Sequence, residues 1–195
     1  MGLKEIDLSR IEAAVNEILL AIGEDPEREG LKETPRRVAQ MYREIVGGAT
    51  EEAHKIITSS LYKEKHEELV LLRDVQFYSI CEHHLIPFIG LAHIGYIPKG
   101  QIVGVSSIIR AFSELCRQPQ VQERLTWQTA DLLFETIKPH GVAVVLEARH
   151  LCMEITGINK PGTIVTTSAL RGVFHMRQAT REEFLRLIRG KDDIL

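Results

Sequence analysis

The N-terminal third of the chain repeats its apolar positions with the three-to-four-residue period of amphipathic helices. The first stretch begins after Asp7, a typical N-cap residue, and stops at Gly23. A second begins at Thr34, which we expect to cap its helix, and residues 51–58 favour a third, short helix. The pattern predicts a helical N-terminal segment, residues 1–66, that ends in a charged connector.

Beyond this segment the period shortens to the alternation that is typical of strands. Apolar and β-branched runs bounded by Gly or Pro predict strands over residues 69–72, 75–80, 91–97, 142–153 and 163–169. Ser106 is expected to cap one helix, and a longer helix is predicted over residues 121–137. A capping box that begins at Thr180 predicts the start of the last helix. Helices grouped between pairs of strands favour an α+β domain over residues 67–195, with an antiparallel sheet and helices on one face. The whole chain is expected to act as one functional unit.

Metal-binding side chains lie where one predicted strand ends. Cys81 and His84 are three residues apart and can bind one ion from a turn, which leaves His83 as a candidate acid or base. His150 and Cys152, two apart in a predicted strand, are expected on one face. If that face meets the turn, two thiolates and one imidazole suit Zn²⁺ and leave its fourth position open for an activated water.

Spacing alone leaves other interpretations open. A Cys-x-x-His pair can be half of a closed structural zinc site or no site, although the sequence contains no second such pair to close one. Cys116 lies on the apolar face of its predicted helix, and we interpret it as a small core residue.

Composition and charge limit the classes of binding partner that this chain can have. The net charge is −3, and 44% of residues are hydrophobic without an apolar run near the ~18 residues that a membrane helix needs. No basic stripe supports nucleic-acid binding. Three cysteines without a signal-peptide pattern argue against a disulfide framework. We therefore expect a cytoplasmic protein with neither a nucleic-acid nor a membrane partner.

Several segments resemble the GTP cyclohydrolase I family, with a likeness that extends from about residue 11 to residue 187. The segments are Phe77 to His84, Tyr96-Ile97-Pro98, Pro119 to Thr126, His150-Leu151-Cys152 and Gly172-Val173-Phe174. The resemblance implies the tunnelling fold, which has four antiparallel strands and two helices per subunit. It also implies a homo-oligomer, a decamer of two pentameric rings with active sites between subunits.

The reaction that this resemblance implies is opening of the guanine imidazole ring of GTP, with loss of formate and closure to 7,8-dihydroneopterin triphosphate. The family's zinc ligands fall on Cys81, His84 and Cys152. Its proton-transfer histidines fall on His83 and His150, in agreement with the roles that the spacing indicates.

The resemblance also assigns residues to the purine substrate. The family's guanine anchor falls on Glu123, where a carboxylate can accept two hydrogen bonds from guanine, and Gln122 beside it is assigned to substrate binding too. Ser106 corresponds to a serine near the ribose. Arg37 and Arg110 correspond to arginines that hold the triphosphate.

Two positions depart from the family at the phosphate end. Ser107 and Thr156 stand where the family usually has a lysine and an arginine. If each charge-assisted bond contributes ~1.5–3 kcal/mol, losing two weakens binding by roughly 10²- to 10⁴-fold. Arg171 and Lys160 are candidates to compensate. GTP remains the first prediction, and the alternative is the same ring opening on a nucleotide, nucleoside or base that lacks the triphosphate.

Two further hypotheses differ in class. A catalytically silent, ring-forming binding protein would keep a structural zinc, and replacing His83 or His150 would leave its ligand affinity and folding untouched. A tunnelling-fold reductase would need a nucleophilic cysteine without zinc, so that one zinc per chain would exclude it.

Overall fold

A computed structural model describes residues 6–156 and 160–190 of the chain. Its helices are α1 (Leu8–Ala21), α2 (Thr34–Ile45), α3 (Thr50–Thr58), α4 (Val105–Cys116), α5 (Gln122–Ile137), α6 (Leu151–Ile155), α7 (Val173–Met176) and α8 (Gln178–Arg189). Its strands are β1 (Leu61–Lys63), β2 (Val70–Cys81), β3 (Pro87–Ile97), β4 (Gln101–Val103), β5 (Pro119–Gln120), β6 (Gly141–His150) and β7 (Ile164–Gly172). The predicted α+β class is confirmed.

Four long strands form the main sheet in the order β2-β3-β6-β7, each antiparallel to its neighbour. The two-residue β5 pairs in parallel with β2 at one edge. Strand β6 is buried on both faces: Val144 and Leu146 belong to the main core with residues of α4 and α5, whereas Ala143 and Val145 pack with α7 and α8. The sheet therefore separates a large core from a small one.

The N-terminal helices differ in how they join this body. Helices α1 and α2 pack against each other, and α3 packs against α4 and α5. Ala53 and Ile57 of α3 are fully buried in the main core, and β1 pairs antiparallel with β4. Within the described ranges, no helix is long and apolar enough to cross a membrane.

Helix starts follow the sequence signals only in part. The Asp7 side chain caps α1 as predicted, accepting a hydrogen bond from the Arg10 backbone N–H at 3.0 Å. The caps predicted at Thr34 and Ser106 are wrong, because both residues already belong to the first turn of their helices. The capping box at Thr180 is also wrong, since α8 begins two residues earlier.

The two predicted strands 69–72 and 75–80 are one strand, β2, with an irregularity between Leu72 and Val75. Asp74 interrupts the apolar alternation there, and its φ of 57° lies in the left-handed region that the extended pattern avoids. The irregularity lets one strand continue to Cys81, at the edge of the candidate site.

The predicted strand 142–153 is wrong at its C-terminal end. Strand β6 stops at His150, and the next five residues form α6. A bidentate ion pair spans this corner, from Arg149 to Glu154 at 2.8 and 2.7 Å. Cys152 therefore reaches the site from a helical turn, and the same-face argument for pairing it with His150 does not apply.

Candidate metal centre and active site

The turn after β2 presents the first candidate ligands. The Cys81 carbonyl accepts a hydrogen bond from the Leu85 N–H at 2.8 Å, and the Cys81 N–H donates to Ile86 O at 3.0 Å. Leu85 closes this turn with a φ of 54°, a conformation that costs a non-glycine residue energy. The tight turn leaves His83 and His84 exposed beside the buried Cys81 side chain.

Cys81, His84 and Cys152 form a candidate metal site. Their donor atoms all lie within 4.8 Å of one another, with 4.0 Å between the two Sγ atoms and 4.0 Å from Cys81 Sγ to His84 Nδ1. A tetrahedral zinc ion with bonds of ~2.3 Å to sulfur would hold two sulfurs about 3.8 Å apart. The three residues therefore fit the ion in both ligand type and spacing.

Electrostatics at the two thiols also favours a cation. Burial, and next the neighbouring Cys81 sulfur, raise the pKa of the Cys152 thiol. A divalent ion between the sulfurs would reverse this effect, because it stabilises thiolates. By contrast Cys116 lies in the main core, where burial raises its pKa strongly, in agreement with its interpretation as a core residue.

His150 is held on two sides at the end of β6. Its ring stacks on Phe88 of the neighbouring strand, with centroids 4.7 Å apart and planes 3° from parallel. Its Nε2 lies 2.8 Å from Gln122 Oε1. Burial lowers the pKa of His150, and the nearby Glu123 carboxylate partly opposes this shift. The net shift therefore favours the neutral imidazole over its charged form.

The first turn of α5 supplies three consecutive side chains to the site. Gln122 is buried against β6 and β7, and Glu123 is exposed at the cavity. Arg124 donates to both carboxylate oxygens of Glu82, at 2.6 and 3.1 Å, and these hydrogen bonds lower the pKa of Glu82. The N-terminus of α5 thus contacts His150, faces the cavity and holds the turn that carries the candidate ligands Cys81 and His84.

These groups surround one cavity of about 280 Å³. Its lining combines the candidate ligands, both further histidines and the start of α5: Cys81, His83, His84, Gln120, Val121, Gln122, Glu123, His150, Cys152, Met153 and Val165. The structure therefore brings together the predicted metal, proton-transfer and guanine-binding residues within a single chain.

The residues predicted to contact the ribose and phosphates from α4 and α2 lie elsewhere. Ser106 lies at the start of α4, ten residues and about 15 Å along the helix from Cys116. The other end of α4 is the one connected to the cavity, because Gln120, which lines it, donates from Nε2 to Leu115 O at 3.3 Å. Arg110 donates to the hydroxyl of the buried Ser107 at 3.3 Å. Arg37 is exposed on α2.

The remaining phosphate candidates are also outside the cavity lining. The Thr156 hydroxyl donates to Cys152 O at 2.5 Å, and Lys160 is exposed. Arg171 pairs with Asp131 at 2.6 Å near the far end of β7, seven residues and about 23 Å along the strand from Ile164. The described residues that line the cavity include neither lysine nor arginine. Within one chain, no cation at the cavity therefore compensates for the two that the family resemblance led us to expect in place of Ser107 and Thr156.

Three site residues escaped the sequence reasoning: Phe88, Gln120 and Arg124. The register of β3 against β6 places Phe88 under His150, and pairing of Gln120 with Cys81 brings it to the cavity. The Oε1 atom of Gln120 is buried and has no hydrogen-bond partner among the residues that the structure describes. Of these three, only Arg124 could have been inferred from the sequence, because it is a cation next to Glu123 and a potential ion-pair partner for Glu82 in the turn.

The fold and cavity define a protein of the α+β class with a candidate metal-dependent active site. The family model for GTP cyclohydrolase I matches residues 11–189. The chain belongs to the GTP cyclohydrolase I family, which confirms the resemblance seen in the sequence.

Curated relatives agree over the full length. Proteins named GTP cyclohydrolase 1 include one from Halalkalibacterium halodurans, 50% identical over 189 residues, which covers 96% of this chain and 100% of the relative. One from Dehalococcoides mccartyi strain 195 is 52% identical, with 95% and 98% covered. One from Corynebacterium glutamicum strain R is 52% identical, with 97% of each chain covered.

Proposed function

We propose that the protein is a zinc-dependent GTP cyclohydrolase, which converts GTP and water into 7,8-dihydroneopterin triphosphate and formate. The observation that carries this proposal is the single cavity that contains the candidate metal ligands, His83, His150 and Glu123. Family membership supports the same reaction, because the relatives bear that enzyme's name.

Glu123 orients the purine. The guanine edge carries two adjacent N–H donors, the ring N1–H and the exocyclic amino group, and one carboxylate can accept both hydrogen bonds. Glu123 lies in the first turn of α5, exposed at the cavity and next to the two side chains that contact His150 and Glu82. Its backbone position is therefore tied to both the metal-binding turn and the end of β6.

His83 and His150 move the protons. Cys81, His84 and Cys152 would hold the zinc ion, which would supply Lewis acidity and lower the pKa of a water molecule in the site to about 7. His83 extends from the same turn as two of these ligands, and His150 precedes the third by two residues. Burial favours the neutral form of His150, which can accept a proton from the attacking water and return it to the purine nitrogen as the bond between that nitrogen and the imidazole carbon breaks.

A further part of the proposal is that other copies of the chain complete the site. A triphosphate carries several negative charges, yet the described residues that line the cavity include neither lysine nor arginine. We assign Ser106, Arg110 and Arg37 to the substrate of a neighbouring subunit, in a decamer of two pentameric rings with the tunnelling fold over residues 67–195.

The direct test uses zinc-loaded protein and GTP. Formate and a pterin that fluoresces after oxidation should appear in equal amounts. Metal-replete protein that yields neither product would refute the proposal. The relatives' name favours the triphosphate substrate over the alternative without one, and a panel of GTP, GDP, GMP, guanosine and guanine measures that preference directly.

A further inference from the structure

Both polar atoms of the Gln122 carboxamide have hydrogen-bond partners inside the protein. The residue is 1% exposed, and its Nε2 lies 3.1 Å from Leu146 O, 2.9 Å from Val165 O and 3.1 Å from Thr167 Oγ1. Both carbonyls can only accept hydrogen bonds. The Nε2 atom of Gln122 must therefore face these carbonyls, because the reversed amide would place Gln122 Oε1 against two oxygens that cannot donate a hydrogen bond.

A chain of hydroxyls supports the same orientation. The Thr126 hydroxyl donates its one hydrogen to Gln122 O at 2.7 Å, so it must accept from Thr167 Oγ1, which lies 2.7 Å away. Thr167 then has lone pairs for the Gln122 amide N–H. The hydrogen bonds therefore follow one donor order, from Gln122 Nε2 to Thr167, from Thr167 to Thr126, and from Thr126 to Gln122 O. Gln122 Oε1 remains available as an acceptor.

His150 must donate to that oxygen. Its Nε2 lies 2.8 Å from Gln122 Oε1, which has no hydrogen to give, so Nε2 carries the proton. Stacking on Phe88 keeps the ring in one plane. A 180° rotation about the Cβ–Cγ bond would return the ring to the same plane with a carbon in place of Nε2, and the hydrogen bond would be lost.

We propose that Gln122 is a positioning residue that holds His150 in the tautomer protonated on Nε2, so that Nδ1 is the nitrogen that accepts a proton in the reaction. The proposal rests on the proposed function and refines it. It replaces the predicted direct contact between Gln122 and substrate, because each polar atom of this side chain already has a partner within the chain.

Magic-angle-spinning NMR of the zinc-loaded protein, labelled with ¹⁵N at histidine, observes the tautomer without any substitution in the network. The His150 signals are assigned by their loss in His150→Asn. At about pH 8.5, well above the ordinary histidine pKa of ~6.5, His150 should show a protonated Nε2 and an unprotonated Nδ1. The reverse pattern, or an equal mixture, would overturn the proposal.

Kinetics of Gln122→Met then separate positioning from binding. We expect kcat to fall about 10- to 100-fold, as for other residues that orient a catalytic ligand, while KM for GTP stays within roughly threefold. A raised KM with unchanged kcat would show that Gln122 contacts substrate instead. Thr129→Val is the matched control, because it removes another buried hydrogen bond of α5, to Leu125 O at 2.7 Å, away from His150.

The NMR result remains decisive if Gln122→Met does not fold. It is also independent of the proposed function. A protein that releases no formate from GTP but shows the Nε2–H tautomer would refute the function and keep the Gln122–His150 interaction, whereas the opposite tautomer in an active enzyme would refute only the role of Gln122.

Discussion

The two ends of the proposed substrate site differ in how much of each is assembled by one chain. The ring-opening end comprises Cys81, His83, His84, Glu123, His150 and Cys152, which line one cavity. The phosphate end, together with the predicted ribose contact Ser106, comprises Arg37, Ser107, Arg110, Thr156, Lys160 and Arg171, which are spread over α2, the first half of α4, the segment between α6 and β7, and the end of β7.

The difference shows which interactions a fold must supply locally. Metal coordination and proton transfer require atoms placed to within fractions of an ångström. Here the ends of β2 and β6 and the first turn of α5 bring the candidate groups for both into one cavity. Charge attraction to a triphosphate acts over longer distances and tolerates contributions from several subunits. Four substitutions each change one part of this site, and their expected effects decrease in the order given.

The largest effect is expected from Cys152→Ser, which removes a metal ligand at the ring-opening end. Bound zinc should fall well below one per chain, and kcat should fall by at least about 10³, since the ion contributes several kcal/mol to the barrier reduction. Metal analysis and formate release measure both. Cys116→Ala, in the core, should lower the melting temperature but keep zinc and kcat; loss of zinc in this control as well would contradict the assigned site.

Glu123→Gln weakens the purine anchor while leaving the metal in place. Loss of a charge-assisted acceptor should reduce kcat/KM for GTP roughly 10- to 100-fold, with zinc unchanged. Steady-state kinetics provides the measurement, and Glu135→Gln, an exposed carboxylate on the same helix, is the control. Equal kinetics for the two variants would remove Glu123 from the proposed site.

Thr156→Arg tests the phosphate end by restoring a cation. We expect kcat/KM to rise about tenfold for GTP and to stay unchanged for guanosine, because only the triphosphate gains a charged partner. Ile155→Arg adds the same charge at the neighbouring position, which is 69% exposed, and should have a smaller effect. An equal gain for guanosine would show that the effect does not come from phosphate.

The smallest effect is expected from Glu82→Gln, which breaks the pair that holds the metal-binding turn to α5. The hydrogen bonds from Arg124 lower the pKa of Glu82 in the folded protein, so the pair stabilises the fold above the usual carboxyl pKa of 4.5 and loses this effect as pH falls through the lowered value. The variant should melt slightly below wild type at neutral pH, and the difference should vanish in acid. Glu67→Gln, an exposed carboxylate, should show no such difference.

The spacing of apolar residues predicted the main helices and strands, because each of them repeats apolar side chains along one face. Helix α5 and the Asp7 cap of α1 lie where the apolar spacing placed them. The turn with Cys81 and His84 was also visible, since two ligand types three residues apart follow the end of an apolar run. These features depend on neighbours in sequence.

The errors arose where side-chain pairing at a corner, or the register between strands, decides the structure and apolar periodicity does not. Cys152 was predicted correctly as a neighbour of Cys81 but from a strand, whereas an ion pair from Arg149 to Glu154 spans the corner to α6. Phe88 meets His150 only through strand register. The boundary between residues 1–66 and 67–195 and the ring assembly remain predictions.

The central claim is that this cavity opens the imidazole ring of GTP. The most direct measurement follows GTP labelled with ¹³C at the imidazole carbon between the two ring nitrogens, incubated with protein containing one zinc per chain. We expect one labelled formate for each GTP consumed, with the triphosphate retained on the pterin product. Retention of the label in a purine, or release of phosphate without labelled formate, would contradict it.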